Sequence, residues 1–472
     1  MDVNQLAMNF MNNSRQASKR IRDAVHGLIV FDHSKEIEKL AWKLVGTREF
    51  QRLRRIRQLG VSELTFPSAV HTRFVHSIGV FHIARKLIEV IQRELASDFQ
   101  GERAEVALIA ALLHDLGHGP FSHVFEAVQQ SRGVVKRHEQ WTAELIRNPD
   151  GEIKPLLEEH RPGFTADVAE LLEAENPVDI YHAVVSSSFD ADRLEYLQRD
   201  RFMTGSGAGA IDFDWLMDNL RVAEVSLEAP DEDDGEDEDL KVPTFCLAMK
   251  ALPAAEQFLL ARNTLHEQVY FHKTTRCAQK MVGKLLRRIA KLATGAEAAR
   301  ETGLPLNHPL LQFYQKGGET LAAYLDLDDS VVLGALSLMA HARDALVQDL
   351  AQRIQSRRLY KTMDVGEFGS DPGRQAQKVR DIEQYFVQAI QNESVIKDDE
   401  AALNIYSVIG GDEERIHKRL HILDARKPKE ISELSPIIKA LNDKKMPIRF
   451  FFEKQEDRDQ ARTIRRERHA KP

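Results

Sequence analysis

Residues 114–123 read HDLGHGPFSH, placing the imidazoles of His114, His118 and His123 and the carboxylate of Asp115 directly behind the apolar run VALIAALL at 106–113. An unbroken apolar run of that length predicts a buried helix whose end carries His114 and Asp115. Polar groups at a buried helix end are costly unless something pairs with them. A divalent metal is a suitable partner for an adjacent imidazole and carboxylate, and phosphate-ester hydrolysis is a suitable use for it.

Two further segments offer ligands. HTRFVH (71–76) ends in His76 at the start of a long helical pattern, and SSSFDADRLEY carries Asp192. His76, His114, Asp115 and Asp192 form a donor set suited to iron, manganese, magnesium or zinc. A six-coordinate ion held by these residues keeps positions open for water and substrate. Bland alternatives stand beside this reading: His76 as a cap or core residue, and His123 as a ring bonded to backbone after the Pro-Phe-Ser turn.

The elements that must position these groups are mainly helical. His26-Gly27 lies in a turn with short strands over 20–32. Leu40, Leu44, Phe50, Leu53 and Ile56 recur at helical spacing. Helices are expected over 77–95, 104–116, 138–147, 165–174, 178–187 and 190–200, the last stopping in GSGAG at 205–209. Residues 221–249 have strand composition and flank an acidic run at about 228–240, too charged to pack. One helix is expected over 253–296 and helical pattern over 305–395; LNIYSVIG and PIRFFFE then read as strands in a tail that is mixed α+β. The fold class is mainly α with small β-hairpin additions. The divisions are a polar leader 1–19, a core 20–290, a helical region 291–402 and a C-terminal region 403–472.

The 472 residues carry a net charge of −8, which argues against a dedicated nucleic-acid coat protein. Cys246 and Cys277, with no CxxC pair, support neither a disulfide framework nor a thiolate zinc site and fit a reducing compartment. The start MDVNQLAMNF lacks a signal-peptide pattern, and no apolar stretch approaches the roughly 18 residues of a membrane span. A soluble cytoplasmic protein is expected.

QLG (58–60), HTRFVHSIGV (71–80), HDLGHGPFSH (114–123), HEQ (138–140), DADRLEYLQRD (190–200) and LHEQVYFHK (265–273) together resemble the HD-domain phosphohydrolases. Within them the pattern is similar to the deoxynucleoside triphosphate triphosphohydrolases, including the dGTPase-like members. The resemblance covers roughly residues 20–290, implies an HD-domain helical core there, and includes no SAM domain.

It assigns the metal to His76, His114, Asp115 and Asp192, and sets His118, His123 and His138 around the scissile phosphate. Water would attack the α-phosphorus, releasing a deoxynucleoside and intact triphosphate. His123 would protonate the departing 5′-oxygen, held by Glu126 and Glu139; an imidazole titrating near neutrality suits that role. Arg73, Arg193, Arg262 and Tyr196 match phosphate contacts, and guanidinium forks suit phosphate oxygens. Gln58 and Asp200 match the pair on the sugar 3′-hydroxyl, Tyr270 the ring that leaves no room for a 2′-hydroxyl, and His266 the same pocket. His272 reads as core packing. The resemblance further implies a homo-oligomer, dimer or tetramer, and a nucleotide activator.

The departures are Arg193 in place of lysine, Val75 in place of glutamate, and Gly46 in place of the Asp that reads guanine in an activator pocket beside Gln51 and Arg54. Glycine cannot accept hydrogen bonds from a guanine edge, so activation by that route is not expected. Arg48, Arg52, Arg54, Arg55 and Arg57 then read either as a site for another nucleotide or as a solvated helix face. The competing function is an HD nuclease or phosphodiesterase acting on DNA or a signalling nucleotide.

Overall fold

The apolar run at 106–113 becomes a helix buried at every one of those positions, and the rest of the site is assembled around its end. The computed structural model describes residues 18–177, 179–207, 209–226, 241–366, 372–399, 419–441 and 448–467. Strands β1 (Lys19–Asp23) and β2 (Gly27–Phe31) pair as an antiparallel hairpin, and Gly27 closes its turn at φ +71°. Helix α1 (Glu36–Val45) follows. Next come α2 (Arg73–Leu95), α3 (Gly101–Leu113), α4 (His123–Ser131), α5 (His138–Arg147) and α6 (Ala191–Thr204). Helix α2 packs against both α3 and α6, which brings His76, His114 and Asp192 to one place.

Strands β3 (Leu220–Ser226) and β4 (Lys241–Ala248) are antiparallel. Helices α7 (Leu252–Leu265) and α8 (Lys273–Leu292) come next. The remaining strands are β5 (Lys361–Asp364), β6 (Val395–Asp398), β7 (His421–Asp424), β8 (Lys427–Glu430) and β9 (Arg449–Phe452). They join two sheets, ordered β3-β4-β7-β8 and β5-β9-β6. The C-terminal segment thus completes a sheet begun by β3 and β4.

Two large apolar cores form among the described residues, with smaller clusters under the β5-β9-β6 sheet and between β3 and β4. One gathers α1, α2, α3, α6 and α7; the other gathers the inner face of α8 and the short helices over 298–354. The loop between α3 and α4 spans both, with Leu116 in the first core and Phe121 in the second. The loop carrying the candidate chemistry is therefore pinned by apolar side chains from each half of the chain.

The mainly α class with small β additions stands as read from the sequence, and several boundaries differ. Helix α2 begins at Arg73 rather than 77, so His76 lies in its first turn. The expected helix 178–187 is only a 3₁₀ turn at His182–Val184 among the described residues; Ser187 bonds the Ala183 carbonyl and Asp190 caps the next helix, local bonds that compete with helix. The expected helix 253–296 is broken by a π-helical turn at His266–Tyr270, closed by Phe271 N donating to His266 O at 2.8 Å. The 305–395 stretch contains β5 and the start of β6, which helical periodicity hid. PIRFFFE supplies β9, whereas the acidic run 228–240 and LNIYSVIG lie outside the described residues. No helix among the described residues is long and apolar enough to cross a membrane.

Candidate active site

Two rings present the same nitrogen to the same point. At the end of α3 His114 donates Nδ1–H to the Ala111 carbonyl (2.9 Å), and on α2 His76 donates Nδ1–H to Glu195 Oε2 (2.5 Å). Each therefore turns Nε2 inward, and both Nε2 atoms are buried without a hydrogen-bond partner among the described residues. Asp190 caps α6 by accepting from Arg193 N (2.8 Å), which sets Asp192 in the first turn. Asp192 Oδ1 lies 3.0 Å from His76 Nε2 and 3.8 Å from His114 Nε2, and the three ligand atoms fall within 4.8 Å of one another.

Asp115 flanks this cluster. Its Oδ1 is 3.3 Å from His114 Nε2, and its Oδ2 is 3.6 Å from His76 Nε2 while accepting from Arg73 Nη1 at 2.6 Å. Burial opposes a charge on His76, yet Glu195, Asp192 and Asp115 raise its pKa to about 10. The surroundings thus favour a cation at this point. Orphaned imidazole nitrogens, oxygen donors and that field fit a divalent metal ion.

The other histidines are arranged differently. Glu126 on α4 accepts from His123 Nδ1 (2.8 Å) on one oxygen, and from His138 Nδ1 (2.7 Å) and the His138 amide (2.8 Å) on the other. Against the cost of burial, those imidazoles hold the Glu126 carboxyl far below the usual range. Burial likewise opposes charge on His138, but Glu126 raises it. Glu139 stands 3.4 Å from His138 Nδ1, so the carboxylate touching His123 is Glu126.

His118 stacks on His138 with centroids 3.9 Å apart and lies 3.2 Å from Asp115 Oδ1, linking the two groups. Burial, then Arg73 and His138, hold His118 well below the ordinary histidine value, so it is neutral. His123 is 63% exposed at its side chain against 2% for His118, and so can exchange a proton with solvent. The backbone-bonded alternative for His123 does not describe this ring, whose contact is a carboxylate.

A pocket wall continues from Asp192. Asp200 accepts from Tyr270 OH (2.6 Å) and pairs with His71 Nε2 (2.7 Å). The π-helical turn brings the His266 and Tyr270 rings to 4.6 Å, and Tyr196 stands edge-on at 6.1 Å from Tyr270. A π-turn inserts a residue into a helix and re-aims the side chains that follow, a device frequent at functional sites. Burial, then the charge of Asp200, raises the Tyr270 phenol well above its ordinary value, and it stays a donor. Burial, then Arg262 and Arg193, lower His266 well below its ordinary value. Gln58 Oε1 is buried without a hydrogen-bond partner among the described residues, and Arg193 is paired with Asp190. His272 does not enter the pocket: it packs on Phe66 and caps α8.

The arginine cluster is solvent-exposed at Arg48, Arg54 and Arg55, buried at Arg52 and half-buried at Arg57. Arg52 is buried and donates to the carbonyls of His118 (2.8 Å), Leu116 (3.3 Å) and Leu327 (2.9 Å). Arg55 donates to Asp328 (2.5 Å), Arg57 pairs with Glu63, and the Arg57 amide donates to Asp329. Arg54 lies over the Phe74 ring, and Arg48 remains exposed. Gly46 ends α1 in an ordinary helical conformation, with Gln51 bonded to the Val45 carbonyl.

Tyr324 OH donates to Gly117 O (2.5 Å), and Asp329 accepts the Phe121 amide (2.7 Å). The loop needs that grip, because Phe121 and Ser122 both hold positive φ (56° and 53°) and a methyl on Gly117 would run into the His138 carbonyl. His71, Glu195, Tyr324 and Asp329 were not singled out from the sequence. His71 was findable as the first residue of HTRFVH and Glu195 as a member of DADRLEYLQRD, whereas Tyr324 and Asp329 sit in helical stretches with no local signal.

The family models agree with this geometry. A model described as "HD domain" matches residues 73–197, spanning every candidate metal ligand, and one described as "HD associated region" matches 239–302. The uncharacterized protein YwfO of Bacillus subtilis is 32% identical over 93% of this chain and 92% of its own length. The chain belongs to the HD-domain phosphohydrolase superfamily.

Among particular relatives, the human deoxynucleoside triphosphate triphosphohydrolase SAMHD1 is 30% identical over 56% of this chain, and its Dictyostelium discoideum homologue 31% over 57%. The chain spans under half of each of those two proteins, 43% and 49%. A crystal structure of a phosphohydrolase from Bacteroides thetaiotaomicron superposes with TM-score 0.69 at 26% identity, covering 93% of this chain and all of that one.

Proposed function

We propose that this protein hydrolyses deoxynucleoside triphosphates at the α-phosphate, yielding a deoxynucleoside and inorganic triphosphate. The observation that carries the reading is the His123–Glu126–His138 group standing beside the metal-capable cluster, joined to it through His118. A P–O5′ bond breaks slowly because alkoxide is a poor leaving group, and a mobile acid beside an electrophilic centre removes that obstacle.

A divalent ion held by His76, His114, Asp192 and Asp115 would withdraw charge from the phosphate and lower the pKa of a water. The remaining steps belong to the chain. Arg73, Arg193, Arg262 and Tyr196 bind the triphosphate oxygens. Gln58 and Asp200 take the 3′-hydroxyl, and Tyr270, tied to Asp200, closes the space a 2′-hydroxyl would need. As the water oxygen bonds phosphorus, giving up its proton to solvent, and the P–O5′ bond breaks, His123 gives its proton to the 5′-oxygen. His123 recovers it from solvent, to which it is open, while Glu126 keeps the ring aimed. His118 and His138 line the phosphate, with Glu139 behind His138. The relatives named as deoxynucleoside triphosphate triphosphohydrolases support the substrate class.

The reading includes a homo-oligomer and activation by a nucleotide other than one read by guanine contacts at Gly46. The test is product analysis by ion-exchange chromatography, with manganese-loaded full-length protein and each dNTP and rNTP singly and in mixtures. Triphosphate and deoxynucleoside in equal amounts are expected. Release of orthophosphate or pyrophosphate would reject the α-phosphate assignment, and turnover of single-stranded DNA alone would favour the nuclease reading.

A further inference from the structure

Behind His76 lies a buried chain of groups that the reaction above does not use. Glu195, three residues past Asp192 on α6, is fully buried. Its Oε2 accepts the His76 Nδ1 proton at 2.5 Å, its Oε1 accepts from Arg199 Nε at 2.5 Å, and His26 Nε2 lies 3.2 Å from Oε1. Arg199 is itself held by Asp23, Nη1 to Oδ2 at 3.0 Å. Asp23 Oδ1 also accepts the amides of Val25 and His26 at 2.8 Å each. The β1–β2 turn therefore reaches Glu195 by two routes, through Arg199 and through His26.

Helix α2 makes room for this carboxylate. Gly79, one turn beyond His76, lies in the helix interior, where glycine is a destabilising choice, and it is not at positive φ. A methyl built there would lie 2.8 Å from Cγ and Cδ of Glu195 and closer still to Oε1. Backbone conformation does not call for glycine at 79; the seat of Glu195 does.

We propose that Glu195, seated on Gly79 and held by Arg199, Asp23 and His26, is the positioning residue that turns His76 Nε2 toward the metal, so that the N-terminal hairpin forms the back wall of the metal site. The proposal rests on the metal assignment made above. A carboxylate that fixes the Nδ1 proton leaves the Nε2 lone pair free and raises its basicity, and loss of such a partner typically costs roughly ten- to a hundredfold in metal affinity.

The test is Mn²⁺ binding to metal-stripped full-length protein, followed by the EPR signal of the free ion, with thermal unfolding of the same metal-free samples. His76→Ala is expected to lose the site, Glu195→Gln and Gly79→Ala to weaken it roughly ten- to a hundredfold, and His26→Ala to weaken it less. Because Glu195→Gln leaves Arg199 short of a buried partner and could unfold, Gly79→Ala decides the matter in that event: it adds one methyl and alters no ligand. Wild-type affinity in folded Glu195→Gln and Gly79→Ala, with His76→Ala still losing Mn²⁺, would overturn the positioning role even if both melt earlier. Wild-type affinity in His76→Ala would instead overturn the metal assignment itself.

Discussion

The two ends of HDLGHGPFSH use histidine in opposite ways. At the first end His114, with His76, gives its Nδ1 proton to a fixed acceptor and turns a buried Nε2 toward Asp192. At the other end His123, with His138, points Nδ1 at a shared carboxylate, and its ring is open to solvent. The first arrangement is closed to water and gathers nitrogens and carboxylates around one point, which suits a cation; the second is open to solvent, which lets His123 exchange a proton. Between them His118, neutral and stacked, touches both sides. One residue type performs different chemistry because burial differs, His76 being fully buried and His123 63% exposed, not because the rings differ.

Substitution should separate the two ends, the largest effect coming from the metal side. His76→Ala is expected to abolish Mn²⁺ binding and turnover together, as judged by calorimetry and a dNTP assay. His123→Ala should lower kcat by about 10²–10⁴ while Mn²⁺ affinity stays at the wild-type value. Equal loss of metal binding in both variants would erase the distinction between the ends.

Glu126→Gln sharpens the acid side. Despite burial, the Glu126 charge raises His138, so removing it lowers that pKa. The His138 ring, followed by NMR titration, should then lose its proton at lower pH, and kcat should fall as His123 loses its aim; an unmoved His138 titration would remove Glu126 from the group.

A smaller effect is expected at the sugar wall. Tyr270→Ala should reduce the preference for dNTP over rNTP by roughly tenfold, the scale of a small steric discrimination, measured as a ratio of kcat/KM values. The smallest concerns stability. His118 and His266 are held well below the ordinary histidine value, and burial with Arg85 and His26 holds His82 at about 4. Unfolded chains take up these protons near pH 6.5 and the folded protein does not. Their contribution is therefore complete above about pH 6.5 and lost as pH falls toward about 4. Thermal unfolding of metal-free protein should show Tm dropping over that window, and less steeply in His82→Gln.

Much of the candidate site was legible because its residues fall in short motifs. HTRFVH, HDLGHGPFSH and DADRLEY each put their ligands within one or two helical turns, and the apolar run at 106–113 announced the helix that ends at His114. What stayed hidden depends on distance or on backbone detail. Tyr324 and Asp329 grip the loop from about two hundred residues away, and no local pattern marks them. The π-helical turn at His266–Tyr270 keeps the apolar rhythm of a continuous helix, so composition could not show the break. Arg52 and Arg57 looked like a basic surface because charge is visible in sequence and burial is not; the His118 carbonyl turns Arg52 inward and Glu63 holds Arg57.

The central claim is which bond breaks, and oxygen-isotope labelling tests it most directly. In ¹⁸O-enriched water, with a single dNTP and manganese-loaded protein, attack at the α-phosphorus with protonation of the 5′-oxygen by His123 predicts one ¹⁸O in the terminal phosphate that had been α. The deoxynucleoside should carry none. Label in the deoxynucleoside, or in released orthophosphate or pyrophosphate, would contradict the account.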